Sequence, residues 1–376
     1  MPPLSRSLAA LRPGVFAQLQ QRIDAHARNG GDLVPLQIGD THLSPPAELV
    51  GGSDPALYRY GPTAGLAALR EALAAVLRRR GLDYDPREEL LVGAGATHAL
   101  ACVARAILSE GDEVLLLSPY WPLAHGILTQ TGACAVECVG VEALAAAVTD
   151  RTRAIYLITP NNPDGTMLGR DELTTIAALA EAHDLWILAD EVYADFAFDA
   201  EHVSIASLPR MRERTLTAYS LSKSHALAGA RVGYVAAPGP LVELARRVST
   251  HTVFNVPVIS QRVALAALAD EGFLRTAHAS YRASRDRAIA ACARLPVSFA
   301  RPTGGAYLFL DFSERLRGRP LAAFLEHAID HGVLLAPGEA FGVAFPRHAR
   351  LCHTAVPAAR LDEGLARLGA ALESFG

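Results

Sequence analysis

A single lysine stands among the 35 lysines and arginines of this 376-residue chain. Every other fixed cation is an arginine, whose guanidinium yields no free amine near neutral pH. A chemistry that needs a neutral amine therefore has one side chain to draw on, Lys223. Cysteine is scarce as well. Cys102, Cys134, Cys138, Cys292 and Cys352 are scattered, odd in number and without a Cys-x-x-Cys pair. That spacing argues against a disulfide framework or a zinc knuckle, and free thiols in a reducing cytoplasm are expected. The 13 histidines contain no His-Glu-x-x-His spacing, so no metal is expected. No apolar run is long enough to span a bilayer. The opening stretch, MPPLSRSLAALRPGVF, lacks the continuous apolar segment of an export signal. A net charge of −4 offers no attraction to nucleic acid or anionic membrane.

What is present is a chain that is 51% hydrophobic and 20% charged, a composition for a large buried core. The length exceeds what one small core organises, so two domains are expected. From Gly65 to Leu82 the apolar spacing is helical and stops at a glycine. Beyond it, apolar runs alternate with helical stretches. EELLVGAG feeds the helix THALACVARAILSEG, and DEVLLLSPYW, RAIYLITP, LWILADEVY, RTLTAYSLS and ARVGYVAAP read as buried strands. Strands without polar alternation, separated by helices such as RDELTTIAALAEAHD, predict an α/β fold with a mostly parallel sheet sandwiched by helices. From about Ile259 the pattern changes to one long helical run, SQRVALAALADEGFLRTAHASYRASRDRAIAACARL, then the strands GAYLFLDF and HARLCHTA. The expected division is a large domain over residues 46–260 and a smaller α+β domain from 1–45 and 261–376.

The lone lysine follows an apolar strand, in AYSLSKSHALAGARVGYV. That position is the carboxyl end of a strand in a parallel sheet, where open α/β sheets bind ligands. An amine retained there fits Schiff-base chemistry. The strand LWILAD ends in Asp190, and an acid closing an apolar strand is costly unless paired. VGAGATHAL joins a strand to a helix start, where the N–H groups of Gly95, Ala96 and Thr97 and the helix dipole make a phosphate site.

Together these stretches resemble the fold type I pyridoxal-phosphate enzymes, the aspartate-aminotransferase-like class I/II group, over nearly the whole chain. SLSKSHALAGARVGY matches that family's S-x-S-K-x(5)-G-x-R-x-G-Y. The resemblance makes Lys223 the Schiff-base lysine and assigns Ser220 and Arg231 to the cofactor phosphate. LADEVYADF is similar to D-E-x-Y, which implies Asp190 on the pyridine nitrogen, Tyr193 on the ring's 3′ oxygen, and a supporting role for Glu191. TPNNPDGT implies Asn162 as a second donor to that oxygen and a substrate contact, with a candidate cis bond between Asn162 and Pro163 and with Asp164 where threonine is usual. SPYWPLA puts Trp121 over the pyridine face. YRYGPTAGLAALREAL implies that Tyr60 reaches the phosphate of a neighbouring subunit, hence a homodimer. HARLCHTA makes Arg350 the clamp on the substrate α-carboxylate, with His353 unusual at its place. LQIGDTHLSPP places Gly39 over that carboxylate, and LLAPGEAFG fits a structural turn.

The activity this implies is transfer of an amino group from an L-amino acid to a 2-oxo acid by a ping-pong mechanism. Other reactions share the cofactor's surroundings: decarboxylation, β- or γ-elimination, and amino acid oxidation. A nicotinamide-dependent oxidoreductase is a further reading of VGAGATHAL, but His98 stands at the third glycine of G-x-G-x-x-G and the next strand lacks a ribose-binding acid. His98, His225 and His251 are candidate pocket residues for which a structural place is the plainer expectation.

Overall fold

The computed structural model describes residues 11, 14, 19–45 and 54–375. Its strands in chain order are β1 (Val34–Pro35), β2 (Leu90–Gly93), β3 (Glu113–Ser118), β4 (Cys134–Val139), β5 (Thr152–Ile158), β6 (Trp186–Asp190), β7 (Thr215–Ser220), β8 (Gly233–Ala236), β9 (Tyr307–Asp311), β10 (Val333–Leu334), β11 (Ala336–Pro337) and β12 (His348–Cys352). Seven of them form one sheet in the order β2-β8-β7-β6-β5-β3-β4. β8 runs antiparallel to β2 and β7, and the remaining neighbours are parallel. The mostly parallel α/β sheet is thus the one that the unalternating apolar runs imply.

The central strand β6, WILAD, is buried along nearly all its length. It can be apolar on both faces because helices cover both. Gly95–Ile107 and Gly239–Thr252 pack on one side through Leu100, Val103, Val242 and Ala245. Arg170–Ala182 packs on the other through Leu173 and Ile176. Each such leucine or isoleucine contributes about 1.5–3 kcal/mol by leaving water. The edge strand β4 is not foreseen in the sequence. Only Cys138 of it is fully buried, and a half-covered edge keeps too little apolar surface to stand out.

A second, antiparallel sheet has the order β11-β12-β9. β1 pairs in parallel with β10, which ties the segment after the first helix to the C-terminal half. Leu308, Leu310, Phe312, Phe324, Leu351 and Leu361 close a separate core there. The long helical run read as one piece is two helices, Val258–Ala269 and Glu271–Cys292. They break at Asp270, whose carboxylate accepts the Phe273 N–H at 3.0 Å and so caps the second helix. The expected boundary at residue 46 lies outside the described residues. Among the described residues, no helix is long and apolar enough to cross a membrane.

Candidate active site

The carboxyl ends of β5, β6 and β7, the start of the helix Gly95–Ile107 and the middle of β12 converge on one cavity of about 230 Å³. It is lined by Gly39, Ala96, Thr97, Trp121, Asn162, Asp190, Tyr193, Ser220, Lys223, Arg231 and Arg350. Gly95 stands behind this wall. Tyr60 is not brought into it: its ring is 86% exposed and packs edge-on against Phe254 at 5.0 Å. A neighbouring cavity of about 330 Å³ lies across Ser220, between Glu191, Tyr219 and Arg80. Its Arg80 pairs with Asp195, and Arg79 and Arg275 also line it.

Ser220 caps the short helical turn Leu221–Ser224, its hydroxyl accepting the Ser222 N–H at 3.1 Å. The turn carries Lys223 into the cavity, where Nζ donates to the Gly39 carbonyl. Burial lowers the ammonium's pKa below its ordinary value. Arg350 and Arg231 push the same way, against Cys352 and Asp40. The direction is the one a nucleophilic or basic amine needs.

One end of the cavity joins the helix start at Ala96 and Thr97 to the Arg231 side chain. The helix Gly95–Ile107 has no acid in its first turn. Gly95 has φ +79°, and a Cβ there would fall against Nη2 of Arg231. Arg231 itself holds a left-handed backbone, φ 53° and ψ 53°. Its Nη1 donates to the Ala228 carbonyl at 3.0 Å, and among the described residues no carboxylate pairs with it. Strain of this kind costs about 1 kcal/mol or more, so the surrounding structure is holding the guanidinium in place. His98 does not line the cavity. Its Nδ1 accepts the Ala94 N–H at 3.2 Å and its Nε2 meets Thr252 Oγ1 at 3.1 Å. His225 lines the neighbouring cavity and bonds Ser224 Oγ at 2.7 Å, while His251 bonds the Arg247 carbonyl.

At the opposite end, Asp190 is 2% exposed and accepts hydrogen bonds from Tyr156 Oη at 3.1 Å and the Val192 N–H at 3.2 Å. Burial pushes its carboxyl up to about 7; the two hydrogen bonds oppose this, and the Glu191 charge adds to it. Among the described residues no cation sits on it. Glu191 accepts from Tyr219 Oη at 2.8 Å, away from the cavity's cations. Asp164 closes its own turn by accepting the Thr166 N–H and hydroxyl, at 3.0 and 2.8 Å. The Asn162–Pro163 bond is not cis. Among the described residues the cis bonds are Ser118–Pro119 and Thr159–Pro160.

Arg350 is 6% exposed on β12. Nη1 donates to Asn162 Oδ1 at 2.8 Å and Nη2 to the Gln37 carbonyl at 2.6 Å, while Nε is buried without a partner. No carboxylate pairs with it among the described residues. A guanidinium sequestered from water without a counter-ion is costly, and an anionic ligand removes that cost. His353, the residue after β12, is fully buried and does not line the cavity, with its pKa lowered by burial to about 3.

Three cavity or supporting residues carry no sequence signal of their own. Ser222 lies inside the lysine motif without being singled out. Tyr156 and Tyr307 sit on strands read only as strands, and nothing in RAIYLITP or GAYLFLDF marks which ring turns inward.

The donor set fits pyridoxal phosphate. A helix N-terminus, two serines and an unpaired guanidinium suit a phosphate dianion. A buried, unpaired carboxylate at the other end suits a protonated ring nitrogen. An amine lies between them.

The model of the family described as aminotransferase class I and II matches residues 42–368. The arginine–pyruvate transaminase AruH of Pseudomonas aeruginosa is 36% identical over 352 residues, covering 89% of this chain and 88% of that one. The aspartate/prephenate aminotransferase of Thermus thermophilus is 32% identical over 368 residues, covering 93% and 94%. The solved aspartate aminotransferase from Thermus thermophilus with maleate superimposes with a TM-score of 0.90 at 30% identity, over 99% of this chain and 100% of that one.

Proposed function

This chain belongs to the class I and II aminotransferases, and from that premise we propose how its residues divide the work. It is a pyridoxal-phosphate-dependent enzyme that moves an amino group between an amino acid and a 2-oxo acid. When bound, the cofactor supplies an aldehyde for the amino group and a ring that draws electrons from the substrate's α-carbon.

In the proposed division, Lys223 is the covalent anchor. As a free amine its Nζ would take the substrate's α-proton, a task that suits an amine whose pKa burial lowers. Gly95, Ala96, Thr97, Ser220 and Arg231 hold the phosphate. Asp190 keeps a proton on the ring nitrogen, and that positive charge supplies the counter-ion its buried carboxylate lacks. Tyr193 and Asn162 hold the 3′ oxygen. Arg350 fixes the orientation of the Asn162 amide by donating to Oδ1, which leaves Nδ2 as the donor. Trp121 covers the ring, and Arg350 takes the α-carboxylate of an L-amino acid beneath Gly39. The two half-reactions alternate on one site, hence a ping-pong scheme. A second copy of the chain covers the exposed Tyr58, Tyr60 and Phe254, bringing Tyr60 to its phosphate. The five free thiols support a cytoplasmic setting.

The observation that carries this reading is the buried Arg350 without a counter-ion, in the same cavity as the chain's one lysine. The test is a panel of amino acids against holoenzyme, scoring oxo acid, ammonia and carbon dioxide, beside borohydride reduction and peptide mapping. Oxo acid without ammonia, and a pyridoxyl group on the Lys223 peptide, are expected. Ammonia or carbon dioxide as the main product, or a label elsewhere, overturns it.

A further inference from the structure

Tyr307 touches both halves of the proposed site. It lies on β9, in the antiparallel sheet, and is 1% exposed. Its hydroxyl shares a hydrogen bond with the hydroxyl of Tyr193, which follows β6 of the large sheet. The two rings meet edge to face, centroids 5.5 Å apart at 79°. The face of Tyr307 supports the Arg350 guanidinium at 4.4 Å. A Cβ on Gly39 would fall against the Tyr307 hydroxyl, so glycine at 39 leaves room for it. One phenol thus reaches the residue assigned to the cofactor's 3′ oxygen, the residue assigned to the substrate carboxylate, and the loop glycine whose carbonyl accepts Lys223.

Two hydroxyls joined by one hydrogen bond have one donor between them. If the Tyr193 proton is given to the cofactor's 3′ oxygen, the proton in the Tyr193–Tyr307 bond comes from Tyr307. Resting on the functional reading above, we propose that Tyr307 is a positioning residue whose hydroxyl donates to Tyr193 and so commits Tyr193 as a strengthened donor to the 3′ oxygen, while its ring seats Arg350. Chained donors polarise each other, so the terminal bond is stronger than Tyr193 alone provides. Burial holds both phenols protonated at neutral pH, as the relay requires. A stronger donor at the 3′ oxygen stabilises negative charge there. It therefore lowers the pH at which the cofactor, held by the lysine, gives up its proton.

The test is the pH midpoint of the visible absorbance change in pyridoxal-phosphate-loaded protein. Tyr307→Phe keeps the ring under Arg350 and should raise the midpoint by about half a unit. Tyr193→Phe should raise it further, and the double variant should match Tyr193→Phe alone. KM for the amino acid should stay within about twofold in Tyr307→Phe, because the seat of Arg350 is intact. Replacing Tyr307 by 3-fluorotyrosine keeps both hydroxyl and fold, strengthens the donor, and should move the midpoint down. An unmoved midpoint in both variants, or a Tyr307→Phe shift that persists in full on the Tyr193→Phe background, overturns the proposal. A wild-type protein with no visible band overturns the functional reading instead.

Discussion

Replacing Arg350 by lysine keeps the charge and removes the fork. The arginine is held between two ring faces, Tyr307 at 4.4 Å and Phe341 at 4.8 Å, and is tethered to Asn162 and the Gln37 carbonyl. Its unpartnered Nε and the second hydrogens of its terminal nitrogens remain for a carboxylate. A lysine ammonium offers a point charge and cannot present two parallel N–H groups. One charge-assisted hydrogen bond to the substrate, worth about 1.5–3 kcal/mol, is lost. One of the two tethers goes with it, at about 1 kcal/mol. A total of about 2.5–4 kcal/mol predicts a fall in kcat/KM of about 70- to 1,000-fold. The assay is the single-turnover absorbance change on mixing holoenzyme with an amino acid, run beside a primary amine with the same side chain and no carboxylate. The loss should appear for the amino acid and nearly vanish for the amine. Equal losses for both would mean that Arg350 supports the fold and does not bind the carboxylate, and the reasoning would be refuted.

Asp190→Asn gives a signed test of burial. The carboxyl stands near 7 in the folded protein and 3.8 in the unfolded chain. Between those values only the native state keeps the proton, so this group's contribution to stability falls as pH rises from about 4 to 7. In cofactor-free protein the wild-type minus D190N unfolding free energy should drop by about 4 kcal/mol across that window, and a flat difference refutes it. Arg231→Ala removes a charged fork from the phosphate and should weaken cofactor binding by about 30- to 100-fold in a fluorescence titration. Gly95→Ala, which puts a methyl against Nη2 at φ +79°, should weaken it with Arg231 still present. Asp270→Ala removes the cap of Glu271–Cys292 and should cost about 1 kcal/mol in denaturant unfolding without changing cofactor affinity.

The large sheet was legible because its central strands are buried on both faces and so carry unbroken apolar runs. β4 was not, because an edge strand is written in half-covered residues that read as loop. The same contrast divides the cavity. Lys223 and Asp190 can be singled out as residues because each breaks a local rule. One is the only lysine and the other an acid closing an apolar strand, whereas Arg231 is named only through the resemblance. Tyr307 and Tyr156 break none, since a tyrosine on a strand is ordinary. What sets them apart is the partner, Asp190 on the neighbouring strand for Tyr156 and Tyr193 across the sheet boundary for Tyr307, and those pairings exist only after folding. His98 takes the structural place that was the plainer expectation for it, because the helix turns its imidazole back onto the Ala94 N–H.

The unpaired charges also explain why the cavity sits where two sheets meet. Arg350 hangs from β12, Asp190 from β6 and Lys223 from the turn after β7. In one continuous core, three such groups would sink onto each other as ion pairs, and Asp190 would neutralise Arg350. Keeping them on separate rigid elements holds the acid and the two cations apart, so that each is left for a ligand that carries the opposite charges at matching separations. Pyridoxal phosphate and an amino acid carboxylate do so together: a cationic nitrogen at one end, a phosphate at the other, and a carboxylate beside it. On the proposed reading, the cost of burying Arg350 and Asp190 without counter-ions among the described residues is recovered only when both ligands are present, which would tie binding to the one geometry in which the lysine amine faces the α-carbon.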